Sequence, residues 1–294
     1  MEVILDAFWD TLKLFPFLYL IYVLIEILEH RTTLTQNGKI LQGPLAPLIG
    51  SATGIIPQCG FSVMAAKLYD KGLIRTGTIL AVFIATSDEA IIIMLSDMSA
   101  AHAVMPLILL KLVFSVCVGY LVNFIFANEK LEDTGISHEV PAHFCCTDHE
   151  GGLMREDSDF KEYFIVPLLH SLKILLYLFI VNLVFGFIIE FVGEENIANS
   201  IAGGPFVQPL ITGLIGLIPN CASSVILTGA YTNGAIAFGS LVGGLCSNAG
   251  LGLVVLFKNP KFIKRNILIV ITLYVVSVIA GIAINGFAIL FDMI

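Results

Sequence analysis

Two nine-residue stretches carry side chains suited to chemistry: Gly54-Ile55-Ile56-Pro57-Gln58-Cys59-Gly60-Phe61-Ser62 and Gly216-Leu217-Ile218-Pro219-Asn220-Cys221-Ala222-Ser223-Ser224. Each presents an amide, a thiol and a hydroxyl in the same order. Gly permits a sharp turn, and Pro suits the first position of a new helix. A helix starting there aims free N–H groups at its tip, a field that favours anions and lowers a thiol pKa. Gln58, Asn220, Ser62 and Ser224 add neutral ligands. A second group, Thr86-Ser87-Asp88-Glu89, puts adjacent carboxylates inside an apolar segment. Acids there are costly in lipid and suit a bound cation or a proton. The counterpart in the second half, allowing a short slip, is Ser247-Asn248-Ala249-Gly250, without an acid. A third group is the His/Cys loop with His138, His143, Cys145, Cys146 and His149, residue types that suit soft and borderline divalent metals in a spacing that matches no standard zinc motif. Lys111, Asn123, His170, Lys173 and Asn182 also fall inside apolar segments, where pairing with Asp88 or Glu89, snorkelling and interhelical bonding all remain open.

Composition says what must position these groups. The chain has 294 residues, 57% hydrophobic and 13% charged, with a mean hydropathy of +0.93. Soluble domains carry about 25% charged residues, so a water-soluble globule is excluded and recurring apolar runs point to a polytopic helical membrane protein. The short alternating segments of a transmembrane barrel are absent. Residues 128–162 hold ten of the 23 acids and three bases, so this one loop accounts for −7 of the net charge of −8. No basic patch exists to neutralise phosphates, which excludes a nucleic-acid partner. The six cysteines form no disulfide framework: four lie in apolar segments, and Cys145 and Cys146 are adjacent. The acidic start MEVILDAFWD is read as leading into a retained helix rather than a cleaved signal.

An internal repeat organises the chain. Residues 47–77 align without gaps to 209–239 with 13 of 31 positions identical, among them Pro47/Pro209, Gly54/Gly216, Pro57/Pro219, Cys59/Cys221, Ser62/Ser224, Tyr69/Tyr231, Gly72/Gly234 and Gly77/Gly239. Apolar segments lie near 10–29, 44–69, 76–95, 102–127, 163–190, 205–231, 236–257 and 266–291. If all eight crossed the bilayer, the basic loops at 70–75 and 258–265 would fall on opposite sides, against the tendency of Lys and Arg to stay in the cytoplasm. Treating 44–69 and 205–231 as re-entrant helical hairpins removes the conflict. The expected fold is therefore an all-α polytopic membrane protein with inverted-topology repeats, six spans plus two re-entrant hairpins. Repeat 1 covers 1–127 (spans near 10–29, 76–95 and 102–127; hairpin 44–69). The acidic cytoplasmic loop covers 128–162. Repeat 2 covers 163–294 (spans near 163–190, 236–257 and 266–291; hairpin 205–231). Both termini are expected outside.

The Ile-Pro-x-Cys repeats, the stretch Thr86–Ala90 and the His/Cys loop together resemble the ten-helix heavy-metal exporters, labelled arsenic or manganese efflux permeases in bacteria and archaea. The resemblance covers nearly the whole chain. It implies export of a metal or metalloid ion from the cytoplasm across a bacterial or archaeal plasma (inner) membrane. More distant organoarsenical permeases share a Pro-x-Cys turn, but this chain lacks a denser Cys cluster, which argues against trivalent arsenic. No phosphate-binding loop is present, so a secondary transporter is expected, with protons as coupling ion and a manganese-like divalent or soft heavy metal as substrate. The expected substrate residues are Gln58, Cys59, Ser62, Asp88, Glu89, Asn220, Cys221, Ser224 and Asn248. Gly54, Pro57, Gly216 and Pro219 shape the hairpin tips. No cofactor is required, a loop-bound metal is allowed, and a homo-oligomer is compatible with the sequence. The alternative is a cation-coupled transporter of a small anion held at the hairpin helix N-termini. An intramembrane enzyme is disfavoured, since Asp88 has no second intramembrane Asp and no His-Glu-x-x-His motif occurs.

Overall fold

A computed structural model describes residues 12, 19, 43–56, 59–70, 72–86, 90–96, 100–126, nine single positions between 168 and 187, 204–258 and 263–290. The expected spans near 10–29 and 163–190 fall almost wholly outside these residues, and the loop 128–162 falls outside entirely. Every regular element among the described residues is an α-helix. The first half holds α1 (Ala46–Gly54), α2 (Cys59–Asp70), α3 (Thr76–Ala85), α4 (Ala90–Ser96) and α5 (Ala101–Ile125). The second holds α6 (Gln208–Gly216), α7 (Cys221–Thr232), α8 (Phe238–Ser247), α9 (Leu251–Leu256) and α10 (Ile263–Leu290). The starts of α6, α7, α8 and α10 each follow those of α1, α2, α3 and α5 by 162 residues.

Local sequence explains these repeated boundaries. Pro47 and Pro209 sit in the first turn of α1 and α6, where a missing N–H costs nothing. The segments 44–69 and 205–231 thus each resolve into two short helices. α2 and α7 end in the same turn. Leu73 N–H donates to Leu68 O at 2.8 Å and Ala235 N–H to Ala230 O at 2.8 Å. Gly72 and Gly234 take φ of 71° and 73° within these turns, a backbone region that disfavours other residues.

Side chains set the direction of travel. Gln208 Oε1, at the start of α6, accepts from Ala237 N–H at 3.1 Å, and Ser247 Oγ, at the end of α8, donates to Gly213 O at 2.8 Å. α6 and α8 therefore run side by side in one direction. α1 and α3 pack the same way: a Cβ on Gly50 would lie 3.0 Å from Val82 Cγ2, and one on Gly54 2.8 Å from Ala85 Cβ. The chain must return between such parallel neighbours, and α2 makes that return. Its Tyr69 hydroxyl lies 2.8 Å from Thr76 Oγ1 at the start of α3. α5 and α10 run back along α3 and α8. Asn123 Oδ1 accepts from Gly77 N–H at 3.0 Å, and Asn285 Nδ2 donates to Ser240 Oγ at 2.9 Å.

The halves interlock rather than merely touch. α2 packs on α9, and α7 packs on α4. One core runs through both halves, with Phe83, Leu80 and Leu107 from the first and Leu227, Leu241 and Leu251 from the second fully buried. α3, α8 and α9 lie inside the protein, whereas α5 and α10 turn Val113, Leu121, Phe124, Ile271, Ile279 and Leu290 outward. Among the described residues, four stretches are long and apolar enough to cross a membrane: Thr76–Ser96, Ala101–Ile125, Phe238–Leu256 and Ile263–Leu290. The chain is a multi-pass membrane protein.

Candidate functional site

Two of these spans are interrupted near the middle, which a reading of 76–95 and 236–257 as continuous spans did not foresee. α3 ends at Ala85, and α4 resumes at Ala90. Thr86 closes α3, its N–H and its Oγ1 both donating to Val82 O, at 2.9 and 2.8 Å. α8 ends at Ser247, Asn248 is extended, and Gly250 takes φ 53° and ψ −142° before α9 begins. That conformation is open essentially to Gly alone. The carbonyls at the ends of α3 and α8 carry the partial negative charge of a helix C-terminus.

One cation meets both sets. Lys111 lies within α5, only 1% exposed. Its Nζ donates to Thr86 O at 2.5 Å and to Leu245 O, in the last turn of α8, at 2.9 Å. Lys111 was among the polar residues whose role the sequence left open; it does not snorkel but bridges the two interrupted helices.

Ser62 of α2 and Ser224 of α7 converge on the second interruption. Asn248 is 3% exposed; its Nδ2 donates to Ser224 Oγ at 2.5 Å, and its Oδ1 accepts from Gly250 N–H at 2.9 Å. Ser62, fully buried on α2, faces α9: a Cβ on Gly252 would lie 2.8 Å from Ser62 O and 2.9 Å from Ser62 Cβ. Asn220 caps α7, its Oδ1 accepting from Ala222 N–H at 3.2 Å. This corrects the expected place of Pro219, which precedes the cap instead of opening the helix, because the Asn side chain supplies the bond that starts it. Gly54 and Gly216 are the buried last residues of α1 and α6. A Cβ on Gly216 would overlap Gly244 O and Ser247 Oγ.

The arrangement gathers hydroxyls, an amide and an ammonium in a buried zone shared by α2, α5, α7 and both interruptions. Pro57, Gln58, Asp88 and Glu89 lie outside the described residues, as do the side chains of Cys59 and Cys221. So do His138, His143, Cys145, Cys146, His149, His170, Lys173 and Asn182. Among the described residues no group of three or more His, Cys, Asp or Glu converges to hold a metal. Sequence reasoning missed the Gln208–Ser240–Asn285 network, in which Ser240 Oγ lies 3.1 Å from Gln208 Oε1. The signal was available: Asn123/Asn285 and Gly119/Gly281 continue the repeat at the same spacing.

No curated protein and no solved structure significantly matches the chain. The model of one protein family, described as a 10TM heavy-metal exporter, matches it twice, over residues 1–172 and 159–290. With interrupted membrane helices and a family match across nearly its whole length, the chain belongs to the 10TM heavy-metal exporter family.

Proposed function

We propose that the protein is a secondary transporter that moves a metal or metalloid ion, a manganese-like divalent or a soft heavy metal, out of the cytoplasm in exchange for protons. The observation that carries this reading is that α3 closes at Thr86, with Asp88 and Glu89 next in sequence, and that α8 ends at Ser247 before α9 begins. A metal ion at that depth needs negative charge to offset its lost hydration. In this reading Asp88 and Glu89 supply it, with Cys59, Cys221, Gln58, Ser62, Asn220, Ser224 and Asn248 as further ligands. Because such ligands release protons on binding metal, proton exchange follows from the chemistry.

The inverted, re-entrant architecture is part of the proposal. Tyr69, at the end of α2, touches Thr76 at the start of α3 and also lies under Arg265, whose Cζ is 4.3 Å from the ring centroid, at the start of α10. One end of the protein thus receives the beginning of the α3–α4 span and follows the end of the α8–α9 span, which supports opposite directions for the two. Rocking of one repeat against the other would then alternate access to the interruptions.

Uptake into proteoliposomes, with metal and pH varied, tests the reading. Asp88→Asn and Glu89→Gln are each expected to lower metal flux by at least roughly tenfold, about 1.4 kcal/mol, and to flatten its pH dependence. Wild-type rates and an unchanged pH profile in both variants would move the cation site elsewhere and favour the anion reading.

A further inference from the structure

We propose that the Lys111 ammonium is a tethered occupant of a monovalent-cation position, built from main-chain carbonyls of both halves, and that its charge holds the two interrupted helices together. The position is made of Thr86 O and Leu245 O, 2.5 and 2.9 Å from Nζ. Each carbonyl lies at a helix C-terminus, and one comes from each half. Carbonyl oxygens aimed at one point are what replaces the hydration of a small monovalent cation. Lys111 starts ten residues into α5, roughly 15 Å along the helix at 1.5 Å per residue, so its charge is delivered deep within the span.

The position has no duplicate. The residue 162 further on is Leu273, itself fully buried. A single side chain from the first half therefore serves the helix ends of both halves. A buried charge is retained only where surrounding dipoles offset its desolvation, and the two helix termini supply such dipoles. Removing the ammonium leaves the carbonyls facing each other without a donor. Those two oxygens are then open to a small free cation. This inference concerns what joins the halves and does not rest on which substrate is carried.

The test is thermal unfolding of the full chain in detergent, in NaCl or KCl against N-methyl-D-glucamine chloride at equal ionic strength. Lys111→Met is expected to gain roughly 2–4 °C in either small cation once the ion exceeds its dissociation constant about tenfold. Wild type is expected to show no difference between the salts. Equal stability of Lys111→Met in all three salts overturns the proposal, as does a wild type that shifts as much as the variant. Should Lys111→Met not fold, Lys111→Gln, which keeps N–H donors without charge, carries the test. The same cation dependence supports the proposal. A Gln variant as stable as wild type in every salt shows that hydrogen bonding alone suffices, and failure of both variants to fold in every salt overturns it too.

Discussion

Asn248 uses both ends of its amide, one on Ser224 Oγ and one on Gly250 N–H. It thereby fixes the backbone at a break and ties it to α7. Asn220 does similar work at the start of α7, where its side chain replaces a missing helix bond. Both were expected as substrate ligands; both also hold the scaffold, so their replacement will affect stability as well as flux. The thiols differ. Cys59 and Cys221 are the first residues of α2 and α7. Thiolate is the soft ligand of the set, whereas the carboxylates are hard. Cys59→Ser combined with Cys221→Ser is therefore expected to weaken transport of a soft ion such as cadmium by roughly tenfold or more, and manganese by less than about twofold. Competition flux with both ions in one proteoliposome preparation reads the ratio directly. An equal loss for both ions would remove the thiols from the selectivity argument.

At the scale of elements, small residues set how closely helices approach. Apolar burial contributes little between helices in lipid, so packing and interhelical bonds must suffice. Gly54 ends α1 against α3: an added Cβ would lie 2.7 Å from Val82 O and 2.8 Å from Ala85 Cβ. Gly54→Ala is expected to destabilise by about 1–3 kcal/mol through overpacking. Gly229 in α7 is the matched control, with nothing within 4 Å of its added Cβ. Gly229→Ala should be neutral or slightly stabilising, since Ala is the better helix former by up to about 1 kcal/mol. Thermal unfolding of the two variants in one detergent decides the matter, and equal midpoints would contradict the close α1–α3 approach. The repeated pairs of short helices at 44–69 and 205–231 were legible in the sequence because Pro, Gly and Cys recur in register at both. The break after Ala85 was not. Thr86-Ser87-Asp88-Glu89 contains neither Gly nor Pro, and its helix end is met by Lys111 from 25 residues away.

For the whole molecule, charge placement decides orientation. Arg75 and Arg265 lie near Tyr69 in sequence or space, at the end where α2 returns. Basic residues at that end favour the cytoplasmic side. Both termini are then expected outside and residues 128–162 inside, beside the cytoplasmic metal supply that the His/Cys loop is suited to collect. Labelling of single cysteines placed near residue 3, within 128–162 and near residue 292, using a membrane-impermeant reagent on intact cells, tests this. Labelling of the loop together with protection of the C-terminus would overturn the orientation, and finding the loop and the C-terminus on the same side would overturn the odd number of spans in the second half.

Composition and periodicity alone established a helical membrane protein, because 57% hydrophobic residues leave no other class able to satisfy the backbone in lipid. The repeat at 162 residues was equally a property of the sequence, since Pro, Cys, Tyr and Gly matched in register. Only the tertiary structure decided that Lys111 joins Thr86 and Leu245, which are 25 and 134 residues distant from it. It also decided that α2 of one half packs on α9 of the other. The physical reason is the same in both cases. Hydropathy and local turn chemistry depend on neighbours along the chain, whereas the partner of a buried ammonium depends on which helix ends the packing brings within reach.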